Sequence, residues 1–323
     1  MVEGPDTMTG SLFIAGDWGS SHLRLYLCQY HEAKPLVAIA SCTGRGVSQI
    51  DGDFEQVFFD LAADWIKAHG PLEVILSGAV GSTLGWKNTP YLDCPVGREQ
   101  IIASRSVFEA RGLRFSILSG VRGVNPAGLP DLMRGEELQL LGWMGNVGQT
   151  GSAQIVVLPG THNKWVLVKN NRIETFVTAL TGEIFSLLRQ QAVLISTPPN
   201  SDFVLEGFMR GLEAAKTLKG GQLLHALFTI RSLQVTGDLP ESQGESYLSG
   251  LLIGSDVQGS LALMEHCLPN IESVTLIGDS RLSYYYQLAL ADMNIAAEIC
   301  DAMTCAISGY EIIYQSLLKE SAR

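Results

Sequence analysis

Two short polar turns carry the residues of this sequence that are best suited to chemistry. Both are built from small, hydroxyl-bearing or charged residues, namely Asp17, Gly19, Ser20 and Ser21 in the first turn and Gly160, Thr161, His162 and Lys164 in the second. Glycine lets backbone N–H groups approach phosphate oxygens, hydroxyls donate further hydrogen bonds, and the Asp17 carboxylate can hold Mg²⁺ directly or through water. The same residue types also form plain hairpin turns. Because one such turn occurs in each half, we predict that the two face each other across a cleft and bind one nucleotide from both sides.

A third element follows an apolar strand late in the chain. Gly278 comes directly after Leu276 and Ile277, and Ser280 precedes a predicted helix at 281–290. A glycine turn at a helix N-terminus suits the nucleoside or the α-phosphate of a nucleotide, because free backbone N–H groups are concentrated there. We therefore add Gly278 and Ser280 to the predicted nucleotide site.

The elements that position these turns occur twice. Apolar segments predict three strands at the start of each half, at 12–14, 23–27 and 36–41 and again at 155–158, 165–168 and 176–178. Helical spacing predicts helices at 54–68, 134–144, 182–195, 203–232 and 245–266, whereas the segment 120–130, rich in glycine and proline, is predicted to be a loop. The linker-like composition of 145–152 places a boundary between domains 1–147 and 148–323, with the last helix a candidate to pack back on the first domain. The repeated pattern predicts two related α/β domains.

Composition and charge narrow the range of partners. The formal net charge of −11 over 323 residues argues against nucleic acid and anionic membrane surfaces, so an anionic substrate has to be held by a local group of Arg, Lys and backbone N–H groups. The six cysteines lack CxxC spacing, which argues against a zinc site and for a reducing compartment. The sequence opens on no signal-peptide pattern, and no apolar run has the length of a membrane span. We expect a cytoplasmic protein, and a homodimer is one assembly that the sequence leaves open.

The three elements, in this order, resemble those of the acetate kinase, sugar kinase, Hsp70 and actin superfamily. Within it, the strings SGAVGSTLGW (77–86), VNPAGLPDLMRGEELQLLG (124–142) and LPGTHNKWV (158–166) are similar to those of the 2-dehydro-3-deoxygalactonokinases. The resemblance runs from Asp17 to the helix after Ala302. It implies two ribonuclease H-like α/β domains of the actin and hexokinase type around a central cleft. It also implies that MgATP phosphorylates the 6-hydroxyl of 2-dehydro-3-deoxygalactonate, a sugar acid of galactose catabolism, although the C4 epimer is left open.

The resemblance assigns the first turn and the second turn to two phosphate motifs, and Gly278 and Ser280 to an adenosine motif. The chain departs from the superfamily at Pro159, where the second phosphate motif usually opens with Asp. Mg²⁺ binding is then expected to depend on Asp17, with Lys164 neutralising phosphate charge. A solvated strand residue is the alternative for Lys164, and a structural turn residue is the alternative for His162.

A catalytic carboxylate is required because phosphoryl transfer to an alcohol needs a group that orients the attacking hydroxyl and accepts its proton. In the superfamily this group commonly lies at the start of the helix that ends the first domain, and the candidates there are Glu136, Glu137 and Asp131. We favour the glutamate pair over Asp131, and the sequence does not choose between the two glutamates. Favourable interaction with the helix dipole is the alternative explanation for acids at this place.

The predicted substrate site consists of Ser77, Gly78, Ala79, Trp86, Arg98, Arg122 and Arg134. The arginines are candidates because a bidentate guanidinium suits the carboxylate of a sugar acid. The segment at 77–79 follows a buried strand and offers backbone amides and a hydroxyl, and the tryptophan would wall the site. Each candidate has a structural alternative: the arginines could be ordinary surface residues, the segment at 77–79 a structural turn, and Trp86 a core residue.

Two other functions stay open at this point. A polyphosphate or guanosine pentaphosphate phosphatase of the same superfamily also carries a Gly-Glu-Glu string before the second phosphate motif. A non-catalytic sugar sensor is the other, but the first strand begins near residue 12, which leaves no room for a DNA-binding module, and the zinc-binding cysteine cluster expected of a sensor is missing. An assay of ADP release with and without sugar acids separates these functions from a kinase.

Overall fold

The computed structural model of the chain describes residues 10–148, 151–192, 194–195 and 202–322. Its first half contains the elements β1 (Ser11–Trp18), β2 (His22–His31), β3 (Lys34–Arg45), α1 (Phe54–His69), β4 (Glu73–Ser77), β5 (Tyr91–Asp93), β6 (Val96–Gly97), α2 (Arg98–Ala103), β7 (Arg105–Ala110), β8 (Leu113–Leu118), β9 (Gly120–Val124), β10 (Pro130–Met133) and α3 (Glu136–Val147). The main sheet runs in the order β3-β2-β1-β4-β8-β7. Strands β1, β2 and β3 are antiparallel, and β1, β4 and β8 are parallel.

The second half repeats this plan. It contains β11 (Gln154–Leu158), β12 (Asn163–Lys169), β13 (Arg172–Ala179), α4 (Thr181–Gln191), α5 (Leu205–Lys216), α6 (Leu223–Thr236), α7 (Gly244–Met264), β14 (Ser273–Gly278), α8 (Ser280–Ala291), β15 (Ala296–Asp301) and α9 (Ala302–Ser321). Strands β11 to β13 are antiparallel, and β11, β14 and β15 are parallel in the order β15-β14-β11-β12-β13-β6. Both sheets therefore share one strand order around their first strand. This confirms the predicted fold of two related ribonuclease H-like domains.

Two elements cross between the halves. The short strand β6 pairs with β13 and so extends the second sheet with residues of the first half. In the other direction, α9 packs against α3 and β1, where the rings of Phe13 and Tyr314 stack with centroids 4.1 Å apart. Tyr310 and Ile313 of α9 share one apolar core with Leu138 of α3. A boundary at residues 147 and 148 stays our proposal, and these two elements are exchanged across it.

The structure corrects several local predictions. The predicted loop at 120–130 contains most of the hairpin of β9 and β10, which pairs with β5 in a separate small sheet. The helix predicted from Arg134 begins at Glu136. The residue before it, Gly135, has a φ of 115°, which lies outside the helical region and cannot be part of the helix. The helices predicted within 203–232 are present as α5 and α6, of which α6 continues to Thr236. Residues 149, 150 and 193, which the predicted linker and the helix at 182–195 include, lie outside the described residues.

No helix in the described part of the chain combines the length and apolar character needed to cross a membrane.

Candidate active site

The first turn joins β1 to β2 at the end of the central strand of the first sheet. The N–H of Gly19 donates to the carbonyl of His22 at 2.9 Å, which closes the hairpin. The carbonyl of Ser20 accepts from the hydroxyl of Ser48 at 2.7 Å, and the carbonyl of Ser21 accepts from the side-chain amide of Gln49 at 3.1 Å. The segment after β3 thus holds the turn in place by donating hydrogen bonds to two of the turn's carbonyl groups. The side chains of Ser20 and Ser21 stay exposed, as a phosphate site requires.

Asp17 lies at the base of this turn. Its carboxylate is 3.6 Å from the guanidinium of Arg24, and its side chain keeps 41% of its surface exposed. Loss of water around the carboxyl group raises the pKa of Asp17, and the positive charge of Arg24 opposes that rise. A methyl group on Gly78 would lie 3.2 Å from Asp17 Oδ1, so the turn after β4 closely approaches this carboxylate. The predicted segment at 77–79 therefore lies beside the predicted phosphate turn.

Within that segment the structure corrects the role of Ser77. Its side chain is 1% exposed, and its Oγ lies 3.1 Å from the hydroxyl of Tyr310 on α9. The Ser77 hydroxyl therefore joins α9 to the first sheet and does not point to a substrate. Ala79 is partly buried against the apolar core around Leu76 and Val80. Gly78 is the member of the segment that lies next to Asp17.

The acidic pair lies at the start of α3, and its two members have different surroundings. Glu136 is partly exposed, and its Oε2 accepts from the N–H of Arg134 at 3.0 Å. Glu137 is 0% exposed, and its Oε2 accepts from the N–H of Gly135 at 2.7 Å. The other oxygen of Glu137 has no hydrogen-bond partner among the described residues. Of the two, Glu136 is the residue that keeps contact with solvent.

The charges around the pair bring together residues of both halves. Burial, and then the negative charge of Glu136, raise the pKa of Glu137 to about 8. Burial also raises the pKa of Glu136, the positive charge of Lys164 opposes this, and Asp17 adds to it. The carboxylates of Asp17 and Glu136 and the ammonium of Lys164 therefore share one electrostatic environment. Acids whose charge is disfavoured in this way are typical of catalytic sites.

Asp131 has a structural role that contradicts its place among the catalytic candidates. Its Oδ2 accepts from the N–H of Thr178 at 2.8 Å and its Oδ1 from the hydroxyl of Thr178 at 2.6 Å. Lys164 Nζ donates to the same hydroxyl at 2.8 Å and to the carbonyl of Leu132 at 2.7 Å. These bonds join β10 to β12 and β13, so Asp131 connects the two halves. Lys164 is 5% exposed, which excludes the solvated alternative.

The second turn joins β11 to β12 and contacts the third element. The N–H of Gly160 donates to Asn163 Oδ1 at 2.6 Å, and the carbonyl of Thr161 accepts from the N–H of Glu183 at 3.0 Å. His162 Nε2 lies 2.5 Å from a carboxylate oxygen of Glu183, so α4 supports the turn through both contacts. Pro159, the departure from the superfamily motif, lies beside Gly278, where an added methyl group would be 3.3 Å from the proline ring. The second turn and the third element are therefore adjacent.

A cavity of about 300 Å³ opens between this turn and α8. Its lining includes Gly160, Asn163, Phe185, Phe203, Tyr285 and Tyr286. Aromatic walls with a few polar groups are typical of sites for planar ligands. The side chain of Asp279 accepts from the N–H groups of Arg281 and Leu282, so these two amides of α8 are already paired. Because these amides are paired, the start of α8 is poorly suited to bind a phosphate, and the cavity beside it is better suited to a nucleoside.

The three arginines have different places. Arg134 stacks on the ring of Tyr91 at 4.2 Å and donates to the carbonyl and the hydroxyl of Thr89, close to Gly81. Arg122 forms an exposed ion pair with Asp93 at 2.6 Å. Arg98 is exposed at the start of α2. Only Arg134 adjoins the acidic pair, through its own N–H bond to Glu136.

Trp86 belongs to the apolar core of the first half. Its ring centroid lies 4.9 Å from that of Phe115 and 5.2 Å from that of Phe108, in a cluster with Phe58 and Trp18. The contacts match the alternative of a core tryptophan. The prediction that Trp86 walls the substrate site stays a prediction, because the ring is partly buried in this cluster.

Comparison with known proteins identifies the family. A sequence model of the 2-keto-3-deoxy-galactonokinase family matches residues 17–313. The chain belongs to this family. The 2-dehydro-3-deoxygalactonokinase of Escherichia coli K12 is 31% identical over 300 residues, covering 91% of this chain and 92% of the relative. A probable 2-dehydro-3-deoxygalactonokinase of Rhizobium meliloti is 29% identical over 296 residues, covering 91% and 94%.

A solved structure has the same fold as this chain over nearly its whole length. The crystal structure of a Sinorhizobium meliloti protein, named provisionally as a 2-dehydro-3-deoxygalactonokinase, superimposes with a TM-score of 0.81 at 25% identity. The match covers 94% of this chain and 96% of the other.

Sequence reasoning missed several residues that shape the site of this kinase-family chain. Thr89 and Tyr91 hold the guanidinium of Arg134, and Tyr310 holds Ser77 from the distant helix α9. Asp256 lies in the middle of α7, a helix with many apolar residues, and is 7% exposed. A charged residue within such an apolar helix was the one available signal, because buried acids require partners.

We expect Glu137→Gln to stabilise the protein increasingly as the pH rises. The ordinary pKa of a glutamate is 4.5 and that of folded Glu137 is about 8, so below pH 4.5 both states hold the proton. Between these values the unfolded chain ionises while the folded chain does not, so wild-type stability falls until about pH 8. The shift sets a ceiling of about 5 kcal/mol on this loss. Urea denaturation of both proteins at pH 5 and pH 8.5 measures it.

The control for that experiment is Glu32→Gln, which removes the same charge from an exposed position between β2 and β3. Its stability difference from wild type should not change between the two pH values by more than a few tenths of a kcal/mol. A pH-independent difference for Glu137→Gln would contradict a protonated carboxyl group at this position.

Proposed function

We propose that the protein transfers the γ-phosphoryl group of ATP to the 6-hydroxyl of 2-dehydro-3-deoxy-D-galactonate. The observation that carries this proposal is that Glu136, a partly exposed acid at the start of α3, feels the charges of both Asp17 in the first turn and Lys164 in the second. Membership of the 2-keto-3-deoxy-galactonokinase family supplies the substrate class. The phosphatase and the sugar sensor are not favoured by that membership. ATP use is consistent with a cytoplasmic location, which we also propose.

The nucleotide would lie along the second half of the cleft. The cavity next to Tyr285 and Phe203 takes the nucleoside, and Asp279, between Gly278 and Ser280 in sequence, is one of its lining residues. The phosphates then extend toward the turn at Gly160 and across to the hydroxyls of Ser20 and Ser21. The backbone and hydroxyl donors of both turns would neutralise and orient them.

Mg²⁺ fits this arrangement as a companion of the nucleotide. In the described residues no group of three or more His, Cys, Asp or Glu side chains is placed to hold a metal ion by itself. Mg²⁺ usually takes one or two carboxylates together with substrate phosphates and waters, and Asp17 offers one such carboxylate. When bound there, the ion would supply charge neutralisation at the phosphates.

Glu136 would act on the sugar hydroxyl. Its carboxylate orients the 6-hydroxyl and accepts its proton while that oxygen forms a bond to the γ-phosphorus and the bond to the β-phosphate oxygen breaks. The positive charge of Lys164 favours the ionised form of Glu136 and so opposes the larger effect of burial, which raises its pKa. Glu137, fully buried and held by Gly135, cannot reach the hydroxyl and sets the position of its neighbour.

Arg134 is the arginine that we propose for the sugar-acid carboxylate. Its hydrogen bonds to Thr89 and its stacking on Tyr91 fix the plane of the guanidinium. A fixed guanidinium loses little freedom on binding and keeps N–H groups for a carboxylate. Arg98 and Arg122 lie on the surface and are not part of this proposal.

The test is ADP release, measured with a coupled assay in the presence of MgATP. We expect release only when 2-dehydro-3-deoxy-D-galactonate is added, and phosphorus NMR of the product should show the phosphate on the 6-oxygen. The gluconate epimer, tested in parallel, measures discrimination at C4. Release of phosphate from polyphosphate, with no acceleration by either sugar acid, would show that the protein is a phosphatase.

A further inference from the structure

A buried carboxylate organises the second half of the site. Asp256 of α7 is 7% exposed and accepts hydrogen bonds from five described side chains. Their donors are Asn163 Nδ2 at 2.7 Å, Thr181 Oγ1 at 2.9 Å, Trp165 Nε1 at 3.1 Å, Ser260 Oγ at 2.9 Å and the hydroxyl of Tyr286. A buried carboxylate is tolerated only when its oxygens are paired in this way. Five donors on one carboxylate make it a junction between elements.

Three of the five donors come from the walls of the 300 Å³ cavity. Asn163 lies in β12 at the end of the second turn, Thr181 begins α4, and Tyr286 lies in α8, and all three line the cavity. Asp256 itself is not among the lining residues. It therefore lies behind the cavity and joins its walls, which are far apart in sequence.

The network also reaches the phosphate turn. The side-chain nitrogen of Asn163 donates a hydrogen bond to Asp256, and its side-chain oxygen accepts one from the N–H of Gly160 at 2.6 Å. The carboxylate thereby fixes which way this amide points, and the amide fixes the backbone of the turn. Tyr286 also accepts from Asn163, so turn and α8 are held to each other as well as to α7.

We propose that Asp256 is a positioning residue for the nucleotide: it holds the Gly160 turn, α4 and α8 in the arrangement that forms the ATP site. This proposal rests on the proposed function, since the cavity is assigned to the nucleoside there. Asp256 does not touch the nucleotide, and the substrate-binding half of the cleft does not depend on it. Loss of the carboxylate should therefore act on ATP and spare the sugar acid.

Asp256→Asn is the direct test. The amide keeps the volume but places an NH₂ group where a carboxylate oxygen now accepts two or three donors, so part of the network must open. We expect the KM and the calorimetric Kd for ATP to rise about 10-fold or more, with the KM for the sugar acid within about twofold of wild type. Measurements are made below the unfolding temperature of the variant, so that only folded protein contributes.

Tyr286→Phe is the second variant, because it keeps the ring and removes only the hydroxyl that links α8 to Asp256 and Asn163. It should raise the KM for ATP in the same selective way, by about threefold to 10-fold. If Asp256→Asn does not fold, Tyr286→Phe alone tests whether the network positions the ATP site. The matched control is Ser255→Ala, which removes a hydrogen bond of 2.7 Å to the carbonyl of Leu251 on the same helix and should leave both KM values unchanged.

Two results overturn the proposal while the proposed function stands. One is wild-type affinity for ATP in both folded variants, and the other is an equal rise of the KM for ATP and for the sugar acid, which would show a general structural defect. If the wild-type protein itself binds no ATP by calorimetry, the proposed function fails and the proposal falls with it.

Discussion

Glu136→Gln should lower kcat with the sugar acid about 10²–10⁴-fold and leave the affinity for ATP unchanged. The substitution keeps the size of the side chain and its acceptor for the N–H of Arg134, but it removes the group that takes the proton of the 6-hydroxyl. An interaction with the attacking hydroxyl affects the transition state, so kcat and kcat/KM should fall together. Steady-state ADP release measures the first effect, and calorimetry with ATP measures the second.

Glu137→Gln is the matched control for this expectation. At pH 7 the carboxyl group of Glu137, with a pKa of about 8, is mostly protonated, and a glutamine resembles a protonated glutamate in size and polarity. We therefore expect turnover within a few-fold of wild type. If Glu137→Gln loses turnover and Glu136→Gln does not, the base is Glu137. If both keep full activity, the base lies outside the pair.

Asp17→Asn should reduce turnover at saturating ATP by at least about 10²–10³-fold while the protein remains folded. The carboxylate is assigned to the metal–phosphate region, and its ionised form is disfavoured by the fold, as its raised pKa shows. A neutral amide at this place should therefore cost little stability at pH 7. Kinetics over a Mg²⁺ titration and the thermal unfolding midpoint measure the two effects.

The control for charge is Asp64→Asn, because Asp64 is an exposed acid of α1 and its loss changes the net charge by the same amount. It should keep normal kinetics. Near-normal activity and Mg²⁺ dependence of Asp17→Asn would show that the first turn is not the phosphate site.

Local patterns were sufficient to predict the repeated strands and both turns. Alternating apolar residues and small polar turns reflect the local backbone, whereas the strand order that the two sheets share is seen only in the structure. The hairpin of β9 and β10 was missed because glycine and proline at 120–130 suggested a loop. Its strands are held by β5, about thirty residues earlier in the chain, which no local pattern reveals.

The roles of the acids depended on contacts between distant segments. Consecutive residues at a helix start point in different directions, so one of Glu136 and Glu137 had to be more buried. The turn at Gly135 and the packing of α9 decide which. Asp131 was a reasonable catalytic candidate until β10 was seen beside Thr178 of β13. Asp256 likewise gains its role from donors in three elements besides its own helix, which only the fold brings together.

The return of α9 to the first half affects how the chain is made. Ribosomes release the first half well before residues 302–321, yet Tyr310, Ile313, Tyr314 and Leu317 complete the apolar core that contains Phe13 and Leu138. A nascent chain therefore carries an unfinished hydrophobic surface through most of its synthesis, which is a period of exposure to aggregation and to chaperones. Expression of residues 1–147 alone would leave the same surface uncovered, so the two halves cannot be prepared as independent modules by a cut at that boundary.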